Sequence, residues 1–130
     1  MAARQARLVA SGMPHHVVQR GNRRQRVFFE GSDREYYLRV LEEKSKKYQV
    51  QIWAYCLMDN HVHLVVVPGQ VDHLALAVGE THKEYTRRIN FRESWRGYLW
   101  EGRFKSFIIA EKHLYAAIRY VERNPVRAKM

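Results

Sequence analysis

Two apolar runs that flank the dipeptide Asp59-Asn60 constrain this chain more than any other feature. Gln51 to Met58 alternates as a strand, Asp59-Asn60 supplies turn chemistry, and His61 to Val67 returns as a hairpin partner ending at Pro68-Gly69. Strand side chains alternate between faces, so His61 and His63 share one face while Val62, Leu64 and Val66 take the other. An apolar face demands a covering layer. The opposite face carries two adjacent imidazoles on a rigid element, which suits a pair of metal ligands. The His-x-His pattern alone fits equally well a strand with two exposed or hydrogen-bonded histidines.

The 130 residues suffice for one domain, 1–130, that buries an ordinary core. Hydrophobic residues at 46% and charged residues at 28% are those of a soluble globular protein. The charge balance stands apart, with 23 Lys plus Arg against 13 Asp plus Glu and a net charge of +10. Such a basic domain is expected to bind a polyanion, nucleic acid first among them. No segment approaches the ~20 apolar residues of a spanning helix, and Met1 to Val9 lacks the apolar centre of a signal peptide. Cys56, the single cysteine, lies in an apolar strand and fits a buried thiol in a reduced cytoplasmic protein.

The remaining elements follow from periodicity and breakers. Gly12-Met13-Pro14 precedes a first strand, His15 to Arg20, and Gly21 to Arg26 reads as a basic loop. Ser32-Asp33-Arg34-Glu35 fits a capping box opening a helix to about Tyr48, with Tyr37, Leu38, Leu41 and Tyr48 on its stripe. A second helix is expected over Val71 to Phe91, a loop over Arg92 to Gly97, and a fourth strand over Phe104 to Ala110. A last helix starts near Glu111 and stops by Asn124, because the residue before Pro125 is pushed out of the α region. The order β-α-β-β-α-β-α predicts an α+β fold. Its first six elements match the ferredoxin-like antiparallel sheet, with the seventh as an extra C-terminal helix.

On that last helix Leu114, Ala117, Ile118 and Val121 form an apolar stripe, and Tyr120 and Asn124 share one flank of it, a turn apart. A helix docked by this stripe can present a phenol and a side-chain carbonyl to the sheet. With two histidines opposite, these would form a site for metal-assisted phosphoryl transfer. A phenol titrates near ~10 and needs help to act as a nucleophile at neutral pH; a divalent cation stabilises charge on a reacting phosphate. The same residues are read just as simply as an amphipathic packing tyrosine and a helix-ending asparagine.

Taken together, these segments resemble the HUH single-tyrosine transposases, and among them the REP-associated tyrosine transposases. The resemblance rests on Leu57-Met58-Asp59-Asn60-His61-Val62-His63, on Tyr120 four residues before Asn124-Pro125-Val126-Arg127, on His16 to Arg24, and on Gly102-Arg103-Phe104-Lys105. It implies that His61 and His63 ligate a divalent cation, Mg²⁺ or Mn²⁺, with Asn124 as third ligand. It further implies that Tyr120 attacks a phosphodiester of single-stranded, hairpin-containing DNA, giving a 5′-phosphotyrosine link and a free 3′-hydroxyl that permits rejoining. A prokaryotic, nucleoid-associated protein, monomeric or homodimeric, is the corresponding setting. Relatives commonly continue past the Asn-Pro-Val segment, and the sequence ends at Met130.

Two basic clusters are candidates for DNA contact. Arg20, Asn22, Arg23, Arg24 and Arg26 crowd the first loop, where arginine can follow phosphates or pair with guanine. Arg87, Arg88, Arg92 and Arg96 lead on to Trp95, Tyr98, Trp100, Arg103 and Lys105, an interleaving of cations and rings that suits unpaired bases. Trp100 and Phe104 are also core candidates, and Trp53 is expected to pack between sheet and helix. Two other functions share these features: a catalytically silent nucleic-acid-binding module of the same fold, and a rolling-circle replication initiator or relaxase, which shares the histidine pair.

Overall fold

The computed structural model describes residues 8–122, so Asn124 and the Pro125-Val126 segment lie outside the described residues. Strand β1 (His15–Arg20) leads through a 3-10 turn (Asn22–Arg24) to helix α1 (Gly31–Lys47). The hairpin β2 (Val50–Leu57) and β3 (His61–Pro68) follows, then α2 (His73–Glu93), β4 (Lys105–Ile108) and α3 (Glu111–Glu122). The sheet order is β2-β3-β1-β4, with every neighbouring pair antiparallel. That is the ferredoxin-like α+β arrangement expected from the element order, with α3 added.

The period-two pattern of β3 sorts its two faces as anticipated. Val62, Leu64 and Val66 are fully buried with Val17, Tyr37, Leu41, Leu74, Val78, Tyr85 and Ile89, in the core between the sheet and helices α1 and α2. The other face holds a smaller cluster of Ala54, Cys56, Val65, Ile109 and Val121, against which Leu114, Ala117 and Ile118 of α3 are partly buried. The apolar stripe of α3 is thus its docking surface, and Cys56 is a buried thiol beneath it.

Four local expectations change. Helix α1 begins at Gly31, one residue before the proposed Ser32 cap; Glu30 is the cap and Asp33, rather than Glu35, reaches back. The buried Asp33 carboxylate accepts the backbone N–H groups of Phe29 and Glu30 at 2.8 and 2.9 Å and is paired with Arg92 of α2. Burial pushes its pKa up, but Arg92 and those backbone donors outweigh it and hold the group below its usual range. Arg92, expected in a loop over Arg92 to Gly97, instead sits inside α2 and ties the two helices together. Trp53 does not pack under a helix. It is the extra residue of a β-bulge between Ile52 and Ala54, which leaves it 45% exposed with its indole N–H donating to Gln51. The fourth strand spans only Lys105–Ile108 of the expected Phe104 to Ala110; Phe104 is buried in the core and Ile109 in the small cluster.

Candidate active site

Register, not sequence proximity, assembles the site. On the α3 side of the sheet, β1 aligns Arg20 with His61 and Val18 with His63, while Cys56 of β2 flanks His63 from the other edge. The His61 and His63 rings lie 4.8 Å apart between centroids, nearly perpendicular. The Tyr120 ring stands edge-on to His63 at 5.7 Å and to His16 at 6.4 Å. Val121 anchors α3 in the small cluster, so the preceding residue projects from the edge of the docked stripe towards β3. Tyr120 remains 58% exposed, open to a large substrate, while His63 is only 8% exposed.

Hydrogen bonds fix how the imidazoles are held. His61 Nδ1 lies 2.7 Å from Asn60 Oδ1, and the Asn60 amide N–H donates to the Arg24 carbonyl at 3.3 Å. The latter bond orients the amide, so Asn60 Oδ1 accepts from His61 Nδ1–H and the His61 Nε2 lone pair is left available. His63 Nδ1 lies 3.0 Å from His16 Nε2, and the two rings stack at 5.2 Å. When His63 is the donor of that bond, its Nε2 also keeps a lone pair. Burial lowers the His63 pKa to about 4, helped by the neighbouring charges of His61, His16 and Arg20; burial and Arg20 lower His61 as well. Both imidazoles are therefore neutral at pH 7, the form that ligates a metal.

The donor set fits a divalent cation through two Nε2 atoms. Among the described residues no three His, Cys, Asp or Glu side chains are grouped to hold a metal. The expected third ligand, Asn124, is outside the described residues. His16 is the contact of His63 that the residue pattern missed: nothing in the local sequence of β1 says which strand it will face.

The basic loop sits at the same end of the sheet. Gly21 N–H donates to the Asn60 carbonyl and Val27 N–H to the Asp59 carbonyl, both at 2.8 Å, which stitches the loop to the turn before His61. A Cβ at Gly21 would collide with the Gln25 carbonyl, so only glycine allows the loop to fold back this closely. Arg23 and Arg24 adopt left-handed backbone conformations (φ 56° and 60°) and are exposed together with Arg26. Arginine carries no intrinsic preference for that region, and backbone strain of this sort concentrates at working sites. Asn22 is anchored to the 97–104 segment by its backbone N–H to the Leu99 carbonyl at 2.8 Å and by its side chain to the Tyr98 carbonyl at 3.5 Å. Arg103 and Lys105 border the same end of β1 as Arg20. Arg87 and Arg88 are not part of this assembly. They project from α2 on the opposite side of the sheet, where Arg88 lies 4.1 Å over the Tyr36 ring.

Among the described residues no helix is long and apolar enough to cross a membrane. No protein of curated function matches the sequence significantly. The fold is similar to that of a REP-associated tyrosine transposase solved bound to a REP hairpin, with a TM-score of 0.77 and 18% identity over 95% of this chain and 73% of that one. It is also similar to a transposase candidate from Deinococcus radiodurans R1, with a TM-score of 0.62 and 18% identity over 97% of this chain and all of the other. At such identity the likeness is one of fold. The sequence itself matches the family model described as "Transposase IS200 like" over residues 9–124, a span that takes in the whole sheet, the histidine pair and Tyr120, and the chain therefore belongs to the IS200-like transposase family.

Proposed function

We propose that the protein nicks and rejoins single-stranded, hairpin-containing DNA, with Tyr120 as nucleophile beside a divalent cation. The observation that carries this reading is the Tyr120 ring at 5.7 Å from His63 within one chain, on the solvent-open side of the small cluster. His61 and His63 would hold Mg²⁺ or Mn²⁺ through Nε2, with Asn124 as third ligand. When bound, the ion supplies polarisation of the scissile phosphate and charge stabilisation as the bond breaks.

The chain's own groups do the rest. The phenolic oxygen of Tyr120 forms a bond to phosphorus as the bond to the 3′-oxygen breaks; the proton lost by the phenol is balanced by the one gained at the 3′-hydroxyl. The resulting 5′-phosphotyrosine keeps the bond energy, so a 3′-hydroxyl can reverse the step. His16 and Asn60 orient the two imidazoles through their Nδ1 positions. Arg20, Asn22, Arg23, Arg24, Arg26, Arg103 and Lys105 surround the site with positive charge and donors for the DNA backbone. Arg87 and Arg88 are left out of this interface because they lie on the outer surface of the helical layer, where Arg88 covers the Tyr36 ring.

The family match favours this reading over a replication initiator or relaxase, and the silent binding module becomes an outcome of the test. Incubation with a single-stranded oligonucleotide carrying a REP-type hairpin, with Mn²⁺, should give a covalent adduct on a denaturing gel. Tyr120→Phe should bind the DNA and form no adduct. Binding by the parent protein with no adduct under any divalent metal would instead identify the module.

A further inference from the structure

We propose that the cavity between α2 and the 97–104 segment is a pocket for one unpaired nucleotide of the substrate strand, reached from the histidine side through a groove at the end of β1. This inference rests on the single-stranded DNA reading above and adds to it a second, separate binding site.

The cavity has a volume of about 420 Å³, at the small-ligand end of binding pockets. Its wall is aromatic: His82 and Trp100 stack at 4.5 Å with their planes 20° apart, and the exposed Tyr98 stands at the rim. Lys83 and Arg103 bring positive charge to the lining, which contains no carboxylate. The buried Gln19 amide, held by the Gly102 carbonyl at 3.1 Å and the Arg20 N–H, closes the end of the cavity. Rings plus cations are what single-stranded bases and their phosphates require.

Two further observations separate this cavity from an accidental surface dent. Gly79 lies in the interior of α2, where glycine costs about 1 kcal/mol relative to alanine. A Cβ there would meet nothing within 4 Å, so no packing constraint demands glycine; its effect is to widen the cavity. The second observation is continuity with the active site. A neighbouring groove of about 350 Å³ shares Gln19, Gly102 and Arg103 with the cavity and is also bordered by Val18, Arg20, Lys105 and Glu101. Val18 and Arg20 are the residues in register with His63 and His61. The two hollows therefore adjoin across Gln19, Gly102 and Arg103, and a strand held at the histidines has a basic path, with Glu101 its one acidic side chain, past the 101–105 segment to the pocket.

The test uses the full chain and two probes, a DNA hairpin alone and the same hairpin with an unpaired flank, the latter also made with an abasic site moved along the flank. Gly79→Phe should fill the pocket, weaken binding of the flanked hairpin about tenfold, and leave the bare hairpin unaffected in fluorescence anisotropy. One abasic position should weaken binding to the parent protein and have no effect on Gly79→Phe. Lys83→Gln, at an exposed position, should show the same selectivity with a smaller loss. Equal loss on both probes, no loss on either, or the absence of any abasic position coupled to residue 79 would overturn the proposal. Failure of the underlying DNA reading shows separately, as a parent protein that binds neither probe.

Discussion

The two faces of one strand, β3, have opposite assignments. Val62, Leu64 and Val66 disappear into a core of nearly twenty buried side chains under α1 and α2. His61 and His63 share their face with Val65, one of a cluster of five that, among the described residues, α3 covers. On the first face the Tyr37 and Tyr85 hydroxyls are paired deep in the core, with His82 and the Val27 carbonyl respectively. On the second, polar groups survive because each finds a partner: Asn60 for His61, His16 for His63. Burial is therefore concentrated on one side of the sheet and the proposed chemistry on the other, and the two should respond differently to mutation.

The largest contrast is between neighbours on the strand. Leu64→Ala should destabilise the protein by about 2–5 kcal/mol in urea denaturation, through lost burial and the cavity left behind. His63→Ala should abolish adduct formation while costing about 1 kcal/mol or less, since its main loss is one hydrogen bond to His16. A His63→Ala protein that unfolds as readily as Leu64→Ala would mean that both faces serve the core.

Much of this division was legible in the residues. The hairpin, the shared face of the histidines and the docking stripe of α3 all follow from local periodicity, which a strand or helix imposes on itself. What was illegible depends on distant partners. His16 matters because β1 pairs with β3 in a particular register, forty-seven residues away in sequence. The start of α1 moved to the Glu30 cap because Arg92, on another helix, rewards Asp33 over the equally suitable Ser32-Glu35 pair. Trp53 is turned outward by a bulge that no residue type announces.

His16 supplies the next test, because its role is to orient and not to bind. His16→Ala should weaken Mn²⁺ binding by roughly 10–100-fold, the usual effect of removing a ligand's hydrogen-bond partner, measured by electron paramagnetic resonance without DNA. His16→Gln, whose carbonyl can accept from His63 Nδ1–H, should recover part of that loss. Unchanged affinity in His16→Ala would show that His63 needs no help.

Among the polar side chains buried on the core side is His82, whose Nε2 lies 2.8 Å from the Tyr37 hydroxyl. Burial lowers its pKa to about 3. An unfolded chain takes up this proton near pH 6.5 and the folded chain does not, so stability is full above about 6.5 and falls as the pH drops towards 3. The expected slope is about 1.4 kcal/mol per pH unit from this group. His82→Phe should lower the slope of unfolding free energy between pH 6 and pH 4 by that amount, even if its absolute stability is reduced. An unaltered slope would place the buried charge penalty elsewhere.

The smallest expected effect distinguishes the arginines of the two sides. Arg24 is exposed in the strained loop tied to the turn before His61, whereas Arg88 lies over Tyr36 on the outer surface of the helical layer. Each phosphate contact contributes about 0.7 to the slope of log affinity against log salt for single-stranded DNA, and about 0.9 for duplex. Arg24→Gln should reduce the measured slope by one such increment, and Arg88→Gln should leave it unchanged. Both substitutions remove the same formal charge from a chain of net charge +10, so long-range attraction falls equally in the two proteins. A difference between them therefore reports contact, and equal slopes would mean that the DNA is drawn by overall charge and not gripped by this loop.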